Sequence, residues 1–221
     1  MEDLKEQIKN IKTQLRLSMN GAVSQSMREK GLDYKLNFGV ELPRIKSIAA
    51  GFEKSHDLAQ ALWKEDIREC KILAGLLQPV DTFYPEIADI WVESIHNMEI
   101  AELTCMNLFQ NLPYAPAKSF HWIASEEEYM QICGFLTIAR LLVKKGDMAE
   151  RPESELLDQA ICAVLSGSYH VRNAALVALR KYMQHSEEHS FRLCRLVETM
   201  KDSTIEAEQI LYHVVKEETI G

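Results

Sequence analysis

The fold is decided by residues 171–179, which read Val171-Arg172-Asn173-Ala174-Ala175-Leu176-Val177-Ala178-Leu179. Apolar side chains recur in this stretch at the spacing of one face of a helix. The paired alanines are small, so a neighbouring helix can approach them closely. The stretch therefore predicts a helix that packs tightly against another helix.

The same periodicity continues through almost the whole chain, and it predicts roughly a dozen helices and no strand. Short connections between the helices favour antiparallel neighbours. We therefore predict an all-α fold, a curved solenoid of antiparallel helix pairs that forms a single domain over residues 1–221. The cysteines lie 28 to 35 residues apart in apolar helical stretches, as repeated helix pairs would place them: Cys70, Cys105, Cys133, Cys162 and Cys194.

Particular residues predict where helices begin and end. Asp3 followed by Glu6 fits the capping-box pattern at a helix start. Ser125 followed by Glu128 fits the same pattern. Gly146 is predicted to end the helix that Ser125 begins.

Composition is that of an ordinary globular protein. The chain has 221 residues, of which 47% are hydrophobic and 26% are charged, and it has only nine glycines and six prolines. These values exclude a globally disordered chain and disfavour a turn-rich β-sandwich. No apolar run is long enough to span a bilayer, so we expect no membrane association. The odd cysteine count, without a C-x-x-C pair or a visible signal peptide, predicts reduced thiols and a cytoplasmic location.

The charge distribution argues against strong binding of nucleic acid. The formal net charge is −8, and phosphate neutralisation supplies most of the non-specific affinity for DNA. The stretch from Tyr84 to Cys133 has eight acidic residues and only one basic residue, Lys118.

Motifs for cofactors and metals are absent from the sequence. Neither G-x-x-x-x-G-K-[ST] nor G-x-G-x-x-G occurs, so we expect no nucleotide and no other cofactor. His185 and His189 lie four residues apart, but Ser186 stands where the metalloprotease motif needs Glu. We therefore expect no metal site there.

The order of several motifs resembles that of a known family. The stretch 171–179 resembles the second helix of a HEAT repeat, with Arg172 at the concave rim. Five stretches, taken in order, resemble bacterial DNA alkylation repair proteins of the AlkD kind. They are Phe38–Ala49, Leu62–Ala74 with its Leu-Trp and Arg-Glu pairs, Ile95–Glu102, Trp122–Ser125 and Val171–Tyr182. The resemblance implies HEAT-like repeats that form an all-helical groove.

The same resemblance implies an activity. Active members of the family are DNA glycosylases that release positively charged N3- and N7-alkylated purines. A carboxylate beside the sugar stabilises the developing positive charge, tryptophans pack against the nucleotide, and arginines hold the phosphates.

Several positions of this chain depart from the family pattern. Glu102 matches the catalytic Asp but is one methylene longer, and Met98 stands in place of a Trp. Trp91 lies seven residues before Met98, so a shift of the alignment by helical turns would change these assignments.

Further departures fall in the second half of the chain. Gln131 and Ile132 stand where the family has an Arg pair, which removes a phosphate clamp. Val177 replaces a second Trp, whereas Arg180 matches the family's Arg.

Three hypotheses follow from these residues. In the first, the chain is a binding or scaffold protein that has lost most or all base excision and whose groove takes a protein, a basic ligand or an altered nucleic acid.

In the second, it is an active glycosylase on duplex DNA, with Glu102 as electrostatic stabiliser. Aromatic faces would then come from Trp91, Trp122 or Tyr129, and phosphate contacts from Arg172, Arg180 and Lys181. In the third, the chain is a helical repeat domain with an unrelated partner, and both tryptophans and Met98 are core residues.

Overall fold

Helices make up nearly all of the regular structure. The computed structural model describes residues 4–144 and 150–220, and in these residues the only bridge between extended segments is an isolated one that joins Leu36 and Ile67. The helices are α1 (Leu4–Leu17), α2 (Gly21–Glu29), α3 (Leu42–Ala49), α4 (His56–Trp63), α5 (Arg68–Leu77), α6 (Pro85–Glu93), α7 (Met98–Asn107), α8 (Ala115–Ile123), α9 (Glu128–Val143), α10 (Glu150–Ser166), α11 (Tyr169–Met183), α12 (Glu187–Val197) and α13 (Glu206–Ile220). The all-α prediction is confirmed.

The helices fall into two compact units, Met1–Leu112 and Pro113–Gly221. In the first unit, α4 packs against α5, and α5 also contacts α3 and α7. In the second unit, α11 packs against α9, α10, α12 and α13. The single domain expected over residues 1–221 stays a prediction.

Residues 171–179 lie at the centre of the second unit. It forms the middle of α11, and Ala174, Ala175 and Ala178 are all buried. Helix α9 approaches its other neighbour in a similar way through Gly134. A Cβ at Gly134 would lie 2.8 Å from the carbonyl oxygen of Ser119 in α8. Small residues therefore set the helix spacing in this unit, as the sequence predicts.

The capping box predicted at Ser125 and Glu128 is wrong. Helix α9 begins at Glu128, three residues after Ser125, and its N-cap residue makes no side-chain cap bond. The Ser125 hydroxyl instead accepts a hydrogen bond from the backbone N–H of Glu127, which stabilises the turn between α8 and α9. Two other predicted helix ends, Asp3 and Gly146, lie outside the described residues.

The segment between α2 and α3 depends on a glycine. Gly39 has a φ of 67°, and its backbone lies directly against the start of α2. A Cβ at this position would lie 2.4 Å from the carbonyl oxygen of Asn20 and 2.6 Å from the backbone nitrogen of Ser24. The close approach allows the backbone N–H of Asn20 to donate to the carbonyl oxygen of Phe38 at 2.9 Å. Only glycine fits both the conformation and the space.

Substitution of Gly39 should be far more costly than substitution of Gly31. Gly31 also has a positive φ, of 95°, but a Cβ there would meet nothing within 4 Å. We expect Gly31→Ala to lower the free energy of unfolding by about 1 kcal/mol through backbone strain alone. Gly39→Ala should cost about 3 kcal/mol or more, because the backbone must also move apart. Urea unfolding of both variants measures the difference, and equal losses would contradict the packing argument.

Burial divides the cysteines into two groups. Cys70, Cys105 and Cys133 are buried, whereas Cys162 is exposed and Cys194 is partly exposed. Burial, together with the nearby negative charge of Glu65, raises the pKa of the Cys70 thiol to about 12. No helix in the described ranges is long and apolar enough to cross a membrane.

The thiols should therefore differ in reactivity. At pH 8 the folded protein should be alkylated at Cys162 and Cys194 within minutes, because a thiol must be accessible and ionised to react. Cys70 should remain unmodified until the protein is unfolded. Mass spectrometry after iodoacetamide treatment, with and without urea, checks the order, and early modification of Cys70 would show that α5 opens readily.

Candidate functional site

Helix α7 carries the two residues that match the family's catalytic Asp and its neighbouring Trp. The side-chain oxygen of Asn97 accepts hydrogen bonds from the backbone N–H groups of Glu99 and Ile100, so the helix begins at Met98. Met98 is half-buried, and Glu102, one turn further on, is exposed. The predicted carboxylate thus lies on the solvent side of a well-capped helix.

A charged network fixes the orientation of α7. Glu99 accepts two hydrogen bonds from the Arg68 guanidinium, one from Nε and one from Nη2, each at 2.6 Å. The Arg68 side chain is 3% exposed and that of Glu99 is 37% exposed. This bidentate pair joins α5 to α7 one turn away from Glu102.

The same arginine also holds the segment before α3. Arg68 Nη1 donates to the carbonyl oxygen of Val40 and to Glu69 Oε1, both at 3.0 Å. Glu69 is fully buried, and its carboxylate accepts from the backbone N–H groups of Phe38 and Val40 at 3.1 and 3.2 Å. Two N–H groups and one carbonyl group of the bend around Gly39 are therefore satisfied by two adjacent side chains of α5.

The charges of this network stabilise each other. Burial lowers the pKa of the Arg68 guanidinium, but the hydrogen bonds and charges of Glu99 and Glu69 outweigh burial and leave that pKa raised. In the sequence, Arg68, Glu69 and Glu99 stand out only as members of stretches that resemble the family, and Glu99 also as one of the acidic residues between Tyr84 and Cys133. The available signal was the charged first turn of an apolar helix, with Arg68, Glu69 and Lys71 among its first four residues, since such residues are almost never buried unless they are paired.

Trp91 lies in the core of the first unit rather than on a groove surface. Its ring is 1% exposed and stacks on Trp63, with centroids 3.9 Å apart and the planes within 1° of parallel. Phe83 packs edge-on against the Trp91 ring, with ring centroids 4.8 Å apart. The Nε1–H group of Trp91 donates to Gln60 Oε1 at 3.1 Å. Both its aromatic surface and its N–H group are already engaged within the protein.

Trp122 has the same kind of position in the second unit. It lies on α8 and is 1% exposed, so it is a core residue. Tyr129, near the start of α9, is half-buried and is the most accessible of the three aromatic residues predicted for a base contact.

The two residues that replace the family's Arg pair are both engaged in the fold. Gln131 Nε2 donates to the carbonyl oxygen of Ser125 at 2.6 Å, across the turn between α8 and α9. Ile132 is fully buried. Neither side chain is placed to contact a phosphate.

Helix α11 presents the remaining predicted residues. Arg172 and Val177 are half-buried, and the Nε atom of Arg172 has no hydrogen-bond partner among the described atoms. Arg180 is exposed, and its Nε lies 2.8 Å from Glu218 Oε1 of α13. Lys181 donates to the side chain of Gln184. Of the predicted phosphate ligands, Arg180 and Lys181 thus already have partners within the chain.

The predicted site residues are divided between the two units. Trp91, Met98 and Glu102 belong to the first unit. The second unit contains the others, which are Trp122, Tyr129, Gln131, Arg172, Val177 and Arg180. Within the first unit, Glu102 and Met98 share one helix, whereas Trp91 is turned into the core.

The histidine pair, His185 and His189, lies in the second unit, where one of the two rings is close to a carboxylate. The rings of His185 and His189 are 5.0 Å apart, and His189 Nε2 is 3.6 Å from the carboxylate of Glu153. That carboxylate also accepts from the hydroxyl of Tyr182 and from Arg192. The described part of the chain has no group of three His, Cys, Asp or Glu side chains arranged to hold a metal ion.

Comparisons with known proteins agree with this architecture. The model of the family described as DNA alkylation repair enzyme matches residues 11–192. The chain therefore belongs to the DNA alkylation repair enzyme family. No curated protein sequence matches it.

A solved structure matches the chain over most of its length. It comes from a new family of proteins related to the HEAT-like repeat DNA glycosylases, with affinity for branched DNA structures. The TM-score is 0.81 at 15% sequence identity, and the match covers 96% of this chain and 93% of that chain. At this identity the likeness shows the fold, which is the HEAT-like all-helical fold of that group.

Loss of the buried Arg68 should lower the free energy of unfolding much more than loss of the exposed Arg180. Arg68→Met leaves Glu69 buried without its cation, so we expect the free energy of unfolding to fall by about 3 to 5 kcal/mol. Arg180→Met removes a solvent-exposed ion pair and should cost less than about 1 kcal/mol. Chemical denaturation measures both variants. Similar small losses would show that the network around Arg68 does not hold the first unit together.

Proposed function

We propose that this chain is a DNA-binding member of its family in which base excision is lost or much reduced. One observation carries the proposal. The two tryptophans that offered the best aromatic faces, Trp91 and Trp122, are both buried in the core. A cationic base binds to an aromatic ring through its open face, and the Trp63 ring already covers a face of Trp91.

The position of the matched carboxylate supports the same conclusion. Glu102 is exposed on α7. A carboxylate in contact with bulk water stabilises a developing positive charge weakly, because the high dielectric constant screens the interaction. Its additional methylene also moves the charge from the position that an Asp would give it.

DNA remains the favoured ligand despite the net negative charge. The chain shares its family with DNA repair enzymes and its fold with a protein that has affinity for branched DNA structures. Phosphate contacts orient a protein on DNA without reading its sequence. A member of this family that no longer holds a damaged base can still recognise the path of the backbone. The proposal includes a cytoplasmic location, as the thiols suggest.

The alternative of an active glycosylase retains one supporting observation. Glu102 is accessible to a ligand, and it is the residue that matches the family's catalytic Asp. A second exposed carboxylate of the same unit, Glu93 at the end of α6, provides a matched control.

Base release distinguishes the two functions. We expect the wild-type protein to release 7-methylguanine and 3-methyladenine from methylated duplex DNA no faster than the spontaneous reaction. Glu102→Gln and Glu93→Gln should behave in the same way, since no catalytic carboxylate is lost. Free bases are quantified over time by chromatography. Release by wild type and by Glu93→Gln, but not by Glu102→Gln, would establish the glycosylase and overturn the proposal.

A further inference from the structure

The first helix carries a stripe of positive charge along one side. Lys5, Lys9, Lys12 and Arg16 lie at positions i, i+4, i+7 and i+11 of α1, which places all four on the same helix face. We name these four residues the α1 basic stripe. Lys5, Lys9 and Arg16 are exposed, and the Lys12 side chain is 33% exposed.

Ion pairs within the chain neutralise little of this charge. Lys12 pairs with Glu65 at 2.7 Å. In the described residues no carboxylate forms an ion pair with Lys5, Lys9 or Arg16. Glu6 is the sole acidic residue of α1. Three of the four cations are therefore available to an external anion.

Helix stability does not explain the stripe. The N-terminal end of a helix carries a partial positive charge, so a cation in the first turn is unfavourable. Lys5 is the second residue of α1 and Lys9 follows one turn later. Only Arg16, in the last turn, is placed favourably with respect to the helix dipole.

The surroundings of α1 are more basic than the chain as a whole. Residues 4–66, which include the Glu65 partner of Lys12, contain eleven basic and eight acidic residues, whereas the complete chain has 25 basic and 33 acidic residues. Arg44 of α3 is exposed and donates from Nε to the Ser18 hydroxyl at 2.9 Å, just beyond the end of α1. Arg44 thus places a further cation near the C-terminal end of α1.

The apolar face of α1 is already occupied. Ile11 and Leu15 are fully buried, and α1 packs against α3 and α4. A basic amphipathic helix that binds a membrane inserts its apolar face into the lipid. Since that face is covered by protein, the stripe can act only through its charge.

The length of the stripe fits a segment of phosphate backbone. A helix rises 1.5 Å per residue, so Lys5 and Arg16 are about 16 Å apart along the axis. One strand of DNA carries a phosphate every 3.4 Å of helix axis, so about five phosphates lie along that length. Long flexible lysine side chains can each reach one of them.

We infer that the α1 basic stripe is a contact surface for the phosphate backbone of DNA. The inference rests on the proposed function and identifies the part of the first unit that carries it. The stripe contains none of the residues that were matched to the glycosylase pattern.

The test replaces three cations and compares the salt dependence of binding. The triple variant Lys5→Gln, Lys9→Gln, Arg16→Gln removes the unpaired cations of the stripe and leaves the Lys12–Glu65 pair intact. A control variant, Arg140→Gln, Arg195→Gln, Lys201→Gln, removes the same formal charge from exposed positions of the second unit that belong to no predicted site. A third variant, Lys5→Arg, Lys9→Arg, Arg16→Lys, preserves the charge of the stripe. Circular dichroism checks that all three fold.

Fluorescence anisotropy with a labelled four-way junction and a linear duplex provides the measurement, between 25 and 200 mM salt. The slope of log K against log salt concentration is negative, and each lost phosphate contact reduces its magnitude by about 0.9. The magnitude of the slope should therefore fall by about 2 to 3 in the stripe variant. This variant should also bind about 10- to 100-fold more weakly at low salt. The control and the charge-preserving variant should keep the wild-type slope.

The remaining outcomes separate this inference from the proposed function. Binding by wild type with an unchanged slope in the stripe variant would overturn the assignment of α1 and leave DNA binding intact. Equal losses in the stripe and control variants would also overturn it, because the effect would then follow net charge. If the wild-type protein binds neither DNA at low salt, the proposed function fails and the inference fails with it.

Discussion

The first unit depends on the interaction of Arg68 with two carboxylates and a carbonyl group. Glu69 binds the backbone N–H groups of Phe38 and Val40, and Arg68 binds the carbonyl oxygen of Val40 and the carboxylate of Glu99. An irregular segment without these partners would leave buried polar groups unsatisfied, which costs about 1 to 3 kcal/mol for each group. The network therefore lets a non-helical connection pass through the core, and it holds α7 in a defined orientation against α5.

Two further features make the packing specific. In the first unit, the stacked rings of Trp63 and Trp91 fill the core, and each indole N–H has a hydrogen-bond partner. In the second unit, the buried alanines of α11 and Gly134 of α9 let neighbouring helices approach closely. Trp63, which belongs to a motif that resembles the family, and Trp91, which was a candidate for a base contact, thus have a structural role. In the proposed function, this structural role is the physical reason why family membership does not by itself imply base excision.

In the proposed binding of DNA, the local distribution of charge matters more than the net charge of the chain. A net charge of −8 predicts weak binding of DNA if it is spread evenly. The α1 basic stripe instead forms a positive surface in a part of the chain where basic residues outnumber acidic ones. Because the Debye length is about 8 Å at physiological ionic strength, a phosphate near α1 responds to that stripe more than to distant carboxylates.

The sequence by itself determined the helical architecture, the close-packed α11 and the family. These properties depend on local periodicity, on small residues within one helix and on the order of short motifs, all of which can be read along the chain. Only the tertiary structure decided that Trp91 turns into the core, that Glu99 pairs with Arg68 and that Gly39 lies against Asn20. Arg68 and Glu99 are 31 residues apart, and no local pattern states which distant groups will meet.

The failed prediction at Ser125 has a related cause, because its hydroxyl stabilises the preceding turn once α8 and α9 are packed. Whether a given side chain faces a ligand, the core or another charge is set by the packing of whole helices, which no single stretch of the sequence contains.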